Sequence, residues 1–261
     1  MSISDKPDLR MAVLIDADNV TCRYVKPMLE EVARYGTPTV KRIYGDWTQP
    51  SLSTWKTVLL ENAIIPIQQY SYTTGKNSTD SALIIDAMDL LYKGNLDCFC
   101  IVSSDSDFTR LATRLREAGK KVIGIGEEKT PKPFIVACDK FIFLEILQPN
   151  TCKATKPART ADRSNQNRSN NVSAVKSEPL PPELIELLVY SVDDIAGEDG
   201  WTFLGDLGNL ILKKNPSFDP RNYGYQKLTP LIIATDLFDI DVRETSNRTV
   251  KHMYVRLKQT D

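Results

Sequence analysis

Two apolar runs that are each followed by carboxylates constrain this chain more than any other feature. Residues 11–15 and residues 98–102 are short, rich in β-branched or other apolar side chains, and stop abruptly. This pattern predicts two buried parallel strands. The polar residues that follow the two runs are Asp16, Asp18, Asn19, Ser103, Ser104, Asp105 and Asp107.

Helix capping explains one acidic strand end but not readily two. A helical pattern begins at Phe108, so Ser104 or Asp105 can cap it and Asp107 can complement its dipole. If the strand ending at Asp16 lies beside this one, the carboxylates converge and repel unless a cation or a proton intervenes. Oxygen ligands of this kind favour Mg²⁺ or Mn²⁺ over zinc.

A third acidic segment is predicted to be a helix capped by Ser78 or Thr79. Asp80 falls in its first turn and Asp86 in its middle. Six residues apart, they lie about 120° from one another around the helix axis and do not share a face. Asp80 is the preferred ligand, although dipole complementarity also explains it. Asp86 is either a further ligand or the partner of a lysine, arginine or backbone group.

Alternating strand and helix patterns over about 145 residues predict a parallel sheet covered on both faces. The third strand, residues 64–70, contains Pro66 and suits a sheet edge. The predicted strands are residues 11–16, 39–44, 64–70, 97–103, 121–126 and 140–144. The predicted helices are residues 22–35, 51–62, the Asp80 segment to Leu91, 108–119 and 133–138.

The composition indicates a soluble cytoplasmic protein. The formal net charge is −1, which excludes a bulk polycation but leaves room for a local basic patch. Five cysteines form no CxxC pair, which indicates neither a disulfide framework nor a zinc module. No signal-peptide pattern begins the sequence, and no apolar run approaches the ~20 residues of a membrane span.

The sequence predicts three regions: a domain at residues 1–147, a disordered basic linker at 148–179, and a second domain at 180–261. The linker is poor in apolar residues and is either a nucleic-acid tether or a solubilising spacer. In the second domain, helices at 181–195, 203–214 and 223–235 precede two alternating strands. Three helices and a hairpin predict a winged helix.

The first domain resembles the NYN domain, a branch of the PIN-like nucleases. The matching segments are residues 14–19, residues 76–80 with Asp86, and residues 102–108. The resemblance implies a Rossmann-like sheet of order 3-2-1-4-5 and metal-dependent RNA hydrolysis. It implies that the acidic ligands are Asp16, Asp80, Asp105 and Asp107, supported by Asn19 and Ser103 or Ser104. Asp18 follows Ala17 where many members carry a glycine before the asparagine, and has no assigned role.

The second domain resembles the OST-HTH (LOTUS) domain, through residues 199–204, 207–208 and 218–228. Such domains bind RNA, and some bind protein partners instead. Residues 180–261 hold nine Lys and Arg against thirteen Asp and Glu, a net charge of −4, so RNA affinity requires a local patch. The candidate RNA-binding residues are Lys213, Lys214, Arg221, Tyr223, Tyr225 and Lys227. The two tyrosines are alternatively core residues.

Together these features predict a metal-dependent ribonuclease, an endonuclease by preference, in which Lys76 contacts a phosphate. A non-catalytic RNA-binding adaptor is the main alternative. A haloacid-dehalogenase-like phosphatase is a further alternative, because Asp16-Ala-Asp-Asn-Val20 also resembles the start of that family's motif. In that case Asp16 is a nucleophile and Asp18 a general acid.

Overall fold

The computed structural model describes residues 8–70, 78–147, 180–244 and 251–258. The first domain contains a sheet of six parallel strands in the order β3-β2-β1-β4-β5-β6. This confirms the predicted parallel sheet and adds the last strand to its edge beside β5. The strands are β1 Arg10–Asp16, β2 Thr37–Gly45, β3 Ile65–Gln68, β4 Cys98–Val102, β5 Lys121–Gly126 and β6 Lys140–Phe143.

Helices cover both faces of this sheet, because its central strands are apolar on both sides. Along β1, Met11, Val13 and Ile15 belong to one core cluster, while Ala12 and Leu14 belong to the other. This alternation is the two-residue period of a strand. The first core packs under α1 and α2, and the second under α3, α4 and α5. The helices are α1 Val25–Val32, α2 Trp55–Asn62, α3 Ser78–Lys93, α4 Thr109–Glu117 and α5 Lys132–Ala137.

The register between β1 and β4 decides where the predicted site lies. The two strands are parallel neighbours, with Ile15 opposite Val102. Asp16 and Ser103, the next residues along, therefore reach the same edge of the sheet. The α3 helix also packs against β1, which brings its N-terminal turn to this edge.

The second domain has the helices and hairpin of the predicted winged helix, with two differences. A two-residue strand, Thr202–Phe203, adds a third strand to give the antiparallel order β7-β9-β8. The helix predicted to start at Tyr223 starts at Leu228, because Gly224 has a φ of +83° and ends a 3₁₀ turn there. The elements are α6 Pro182–Asp193, β7 Thr202–Phe203, α7 Leu204–Lys214, α8 Leu228–Thr235, β8 Phe238–Glu244 and β9 Lys251–Leu257.

The two domains contact each other along β6. The backbone N–H of Phe141, in this edge strand, donates to the carbonyl of Pro216 at 2.9 Å. The ammonium of Lys140 lies 3.9 Å from a carboxylate oxygen of Asp219. The predicted linker, residues 148–179, lies outside the described residues. In the part of the chain that the structure describes, no helix has the length and apolar character needed to cross a bilayer.

Candidate active site

The carboxylate of Asp16, at the end of β1, is fully buried and held by three hydrogen bonds. Its Oδ2 atom accepts from the Asn19 amide at 2.6 Å and from the Ser103 hydroxyl at 2.9 Å. Its Oδ1 atom accepts from the backbone N–H of Asp18 at 3.0 Å. Burial raises the pKa of Asp16, although these hydrogen bonds act against that change. Asn19 and Ser103 thus fix the orientation of this carboxylate.

The segment after β4 is ordered by the same serine. The Ser103 hydroxyl accepts from the backbone N–H of Asp105 at 3.1 Å, and the Asp105 carboxylate accepts from the N–H of Asp107 at 3.0 Å. Asp105 is therefore the N-cap of the 3₁₀ turn before α4, as the capping explanation predicted. Ser104 instead accepts from the N–H of Glu127 at 2.8 Å and ties this segment to the end of β5.

Three of the predicted carboxylates converge at this edge of the sheet. Asp80, Asp105 and Asp107 each offer an oxygen atom, and these atoms lie within 4.8 Å of one another. Burial and the negative charges of Asp16 and Asp105 together raise the pKa of Asp80 to about 6. Capping and dipole effects do not require such crowding, and the three carboxylates together could hold a metal ion.

Asp86 and Lys76 do not join this cluster in the described structure. Asp86 accepts hydrogen bonds from the Arg42 guanidinium and the Tyr44 hydroxyl. Pairing with an arginine was one of the two roles predicted for Asp86, and Arg42 is that arginine. Asp18 is exposed, and its backbone rather than its side chain contacts Asp16. Lys76 lies outside the described residues.

Asp46, which follows β2, is an acidic strand end that sequence reasoning missed. Its carboxylate accepts from the Thr48 hydroxyl at 2.6 Å and from the Gln68 amide at 2.9 Å. These two hydrogen bonds lower the pKa of Asp46 to about 2. The available signal was the same apolar-run-then-aspartate pattern that identified Asp16. Its local partners indicate a structural role in the β2–α2 connection.

Arg221, a predicted RNA-binding residue, lies in an ion-pair cluster between the two domains. Its terminal nitrogens donate to both carboxylate oxygens of Glu31 in α1, each at 2.9 Å. Its Nε atom donates to Asp219 at 2.9 Å. Glu31 and Asp219 are only 5% and 6% exposed. This cluster, which we call the interdomain clamp, consists of Glu31, Asp219, Arg221 and Lys140.

The other predicted RNA-binding residues are spread over the second domain. Tyr223 and Tyr225 pack against its apolar core, and the Tyr223 ring lies 6.2 Å from that of Phe218. Lys227 is exposed just before α8. Lys213 and Lys214, in the last turn of α7, line a groove between the two domains. The six residues therefore do not form one patch.

Comparison with known proteins identifies both domains. Residues 10–145 match the family model of the NYN domain, and residues 176–250 match that of the OST-HTH/LOTUS domain. An uncharacterized protein of Methanocaldococcus jannaschii is 28% identical over 127 residues, which are 47% of this chain and 50% of that protein. The chain thus spans half the length of this curated relative.

Two solved structures of other proteins are similar to parts of this chain. A protein of unknown function from Vibrio parahaemolyticus has a TM-score of 0.44 and 21% identity, and the match covers 53% of this chain and 94% of that one. An uncharacterized protein of Nitrosomonas europaea has a TM-score of 0.30 and 30% identity, over 39% of this chain and 95% of that one. These TM-scores are too low to carry an argument about function.

Proposed function

Because this chain belongs to the NYN-domain family and carries a C-terminal OST-HTH/LOTUS domain, we propose that it is a metal-dependent ribonuclease. NYN domains are PIN-like nuclease domains, and OST-HTH/LOTUS domains bind RNA. The proposed reaction is hydrolysis of RNA phosphodiester bonds at the carboxylate cluster of Asp80, Asp105 and Asp107. We further propose that it acts as an endonuclease in the cytoplasm.

The convergence of Asp80, Asp105 and Asp107 is the observation that carries this proposal. Three carboxylate oxygens within 4.8 Å of one another repel unless a cation or a proton intervenes. An all-oxygen ligand set fits a hard ion such as Mg²⁺ or Mn²⁺. PIN-like nucleases generally use divalent metals. When bound, such an ion lowers the pKa of a water nucleophile and stabilises negative charge on the phosphate.

Asp16 is proposed as the fourth acidic group of this site. Its charge is close enough to raise the pKa of Asp80, second only to the effect of burial. Because Asn19 and Ser103 hydrogen-bond the Asp16 carboxylate, they orient it toward the cluster without taking part in ligation. Ser103 additionally positions the Asp105 backbone, so a single hydroxyl organises both acidic strand ends.

The burial of Asp16 favours a nuclease over an aspartyl phosphatase. A phosphatase of the haloacid-dehalogenase type needs an accessible carboxylate oxygen to attack the phosphate. Asp16 is 0% exposed, and hydrogen bonds occupy both of its oxygen atoms. Asp18, which would be the general acid, donates its backbone N–H to Asp16 and turns its exposed side chain to solvent.

The second domain is proposed to capture RNA for the cluster. The interdomain clamp holds it against the first domain, so RNA bound to one domain is held near the other at a high effective concentration. A protein partner for this domain is an alternative role. In the adaptor alternative the domain arrangement is the same, and the protein binds RNA without cleaving it at the carboxylate cluster.

Cleavage of end-labelled RNA by purified protein tests the proposal. We expect cleavage of single-stranded or structured RNA with Mg²⁺ or Mn²⁺, none with EDTA, and a loss of more than about 100-fold in Asp105→Asn or Asp80→Asn. Losing an outer-shell partner of a metal ligand costs 10–100-fold, and a direct ligand should cost more.

Asp89→Asn is the matched control, since Asp89 lies on α3 with Asp80 but is exposed and paired with Lys93. It should cleave as the wild type does. Equal residual cleavage by wild type and Asp105→Asn would indicate a contaminating nuclease. RNA binding by both proteins without any cleavage would replace the ribonuclease proposal with the adaptor.

A further inference from the structure

The groove between the two domains is strongly basic, although the chain as a whole is nearly neutral. It has a volume of about 1260 Å³ and lies at the ends of β5 and β6 opposite to the carboxylate cluster. Two acidic residues, Glu117 and Asp139, also line it, which leaves a net charge of +4 from six cations and two anions. The basic residues are Arg116, Lys120, Lys121, Lys140, Lys213 and Lys214.

Several of these cations are available to a ligand. Arg116 is paired with Asp139 at 3.0 Å, and Lys214 is paired with Asp194. Lys120, Lys121 and Lys213 form no ion pair with any residue that the structure describes. Lys121 and Lys213 are exposed, and Lys120 is partly exposed. A groove with unpaired lysines on both of its walls attracts a polyanion.

The α4 helix, which carries two exposed arginines, runs from the carboxylate cluster to the groove. The α4 helix starts just after Asp107 and ends at Glu117, beside the groove. Arg110 and Arg114 are exposed and four residues apart, so they lie on the same face of this helix. The Arg114 guanidinium also donates to the Tyr92 hydroxyl at 2.8 Å, which fixes its position on this path.

We infer that a single strand of RNA runs from the carboxylate cluster along α4 and into the interdomain groove, held there by phosphate contacts to Lys120, Lys121 and Lys213. This rests on the proposed function for the identity of the ligand. The groove walls come from both domains, and the interdomain clamp keeps them in place. The second domain therefore contributes cations to a shared path, even though its own net charge is −4 from nine basic and thirteen acidic residues.

The path has a minimum length. The six residues of β5 separate the groove from the cluster edge by about 20 Å, at about 3.3 Å per residue. A stacked strand rises about 3.4 Å per nucleotide, so about six stacked nucleotides join the two, and fewer suffice when the strand is extended. An RNA of three nucleotides reaches either the cluster or the groove, but not both.

RNA binding in EDTA tests the inference separately from catalysis. The probes are a fluorescein-labelled unstructured RNA of 20 nucleotides and one of 3 nucleotides, followed by anisotropy from 50 to 200 mM salt. For the full chain carrying Lys120→Gln and Lys213→Gln, we expect the salt slope for the long RNA to fall by about 1.4, since each lost contact removes about 0.7. The corresponding loss of affinity is about 20-fold at 0.1 M salt.

Lys93→Gln with Lys258→Gln is the matched control, because it removes two exposed lysines at the ends of other elements. It should change the affinity less than twofold. Equal losses in the two double variants, or no binding of the long RNA by the wild type, would overturn the inference.

Cleavage assays separate this inference from the proposed function. In Mg²⁺, the groove variant should cleave the long RNA more slowly than the wild type and leave cleavage of the short RNA unchanged. Groove-dependent binding without cleavage supports the path while refuting the ribonuclease. Normal cleavage of both RNAs by the groove variant refutes the path while supporting the ribonuclease.

Discussion

Two clusters of acidic residues in this protein shift carboxylate pKa values in opposite directions. At the carboxylate cluster, burial and the charges of Asp16 and Asp105 raise the pKa of Asp80 to about 6. In the interdomain clamp, burial alone would raise the pKa of Glu31 and Asp219, but the hydrogen bonds and charge of Arg221 outweigh it and lower both pKa values. Both clusters contain partly or fully buried carboxylates, and the arginine of the clamp accounts for the opposite direction of the pKa shifts.

The two clusters differ in how their carboxylate charge is compensated. A buried carboxylate needs a cation, hydrogen bonds or a proton to offset its charge. The clamp supplies its own cation, so it is complete as a structural element. The carboxylate cluster has neighbours that repel it, which is typical of a functional site. This difference supports the proposal that the carboxylate cluster binds a cation.

The largest expected effect comes from removing the cation of the clamp. Arg221→Gln removes the guanidinium that Glu31 and Asp219 share and leaves them only the exposed Arg34 and the more distant Lys140. Breaking a buried pair in this way costs about 3 kcal/mol. The free energy of unfolding, measured with urea, should fall by about this amount. Arg110→Gln, at an exposed arginine, should change it by less than about 0.5 kcal/mol.

Neutralising the two acids should restore most of that loss. The triple variant Glu31→Gln, Asp219→Asn and Arg221→Gln removes the uncompensated charges, so it is expected to be more stable than Arg221→Gln alone. Equal stability of the triple and single variants would show that the clamp acts through packing rather than through charge.

The next effect is stabilisation by the proposed cation. Mg²⁺ or Mn²⁺ at 100 times its Kd should stabilise the protein by about 2.7 kcal/mol, because it binds the folded chain alone. Thermal unfolding with and without the ion measures this. Asp105→Asn with Asp107→Asn should abolish the response, whereas Arg221→Gln should retain it. A response that survives in the double variant would place the ion elsewhere.

The smallest effect concerns pH, and the two clusters should respond in opposite directions. Since the pKa of Asp80 is raised from 3.8 to about 6, its contribution to stability in EDTA is lost as the pH rises through that range. At pH 8, Asp80→Asn should therefore stabilise the metal-free protein by up to about 1 kcal/mol, after allowance for solvent screening. The gain should shrink at pH 5.

The clamp acids are expected to show the reverse pH dependence. Their pKa values are lowered, so their contribution to stability is present above the unfolded pKa and is lost as the pH falls below about 4. Urea unfolding of the wild type and of the clamp triple variant between pH 3 and pH 6 measures it. The two proteins should converge in stability at low pH, and parallel curves would contradict the assignment.

The carboxylate cluster was predictable because its signals are local. Each apolar run stops at its carboxylates, so Asp16 and Asp105 mark strand ends in the sequence itself. The unusual mid-helix position of Asp86 predicted a partner, and the structure provides Arg42. The sequence order of the strands did not by itself place β1 beside β4; the family resemblance implied that pairing, and the structure confirms it.

The interdomain clamp was not predictable in this way, because its partners are far apart in the chain. Glu31 and Arg221 are separated by 190 residues, and the sequence around each residue does not indicate that the other is its partner. The sequence grouped Arg221 with Tyr223 and Lys227 as candidate RNA-binding residues around the start of a predicted helix. That helix begins later than predicted, at Leu228, because Gly224 takes a left-handed conformation. Arg221 is thereby left on a turn that faces the first domain.

The hydrogen bond from Phe141 to Pro216 has a consequence for how the chain avoids aggregation. β6 is an edge of the parallel sheet, and an open edge presents backbone groups that can pair with another molecule. The carbonyl of Pro216 accepts a hydrogen bond from one of these groups, the N–H of Phe141, and the second domain contacts the strand there. The second domain thus shields the first from unwanted strand addition. A fragment ending before it would carry a bare edge and lose solubility.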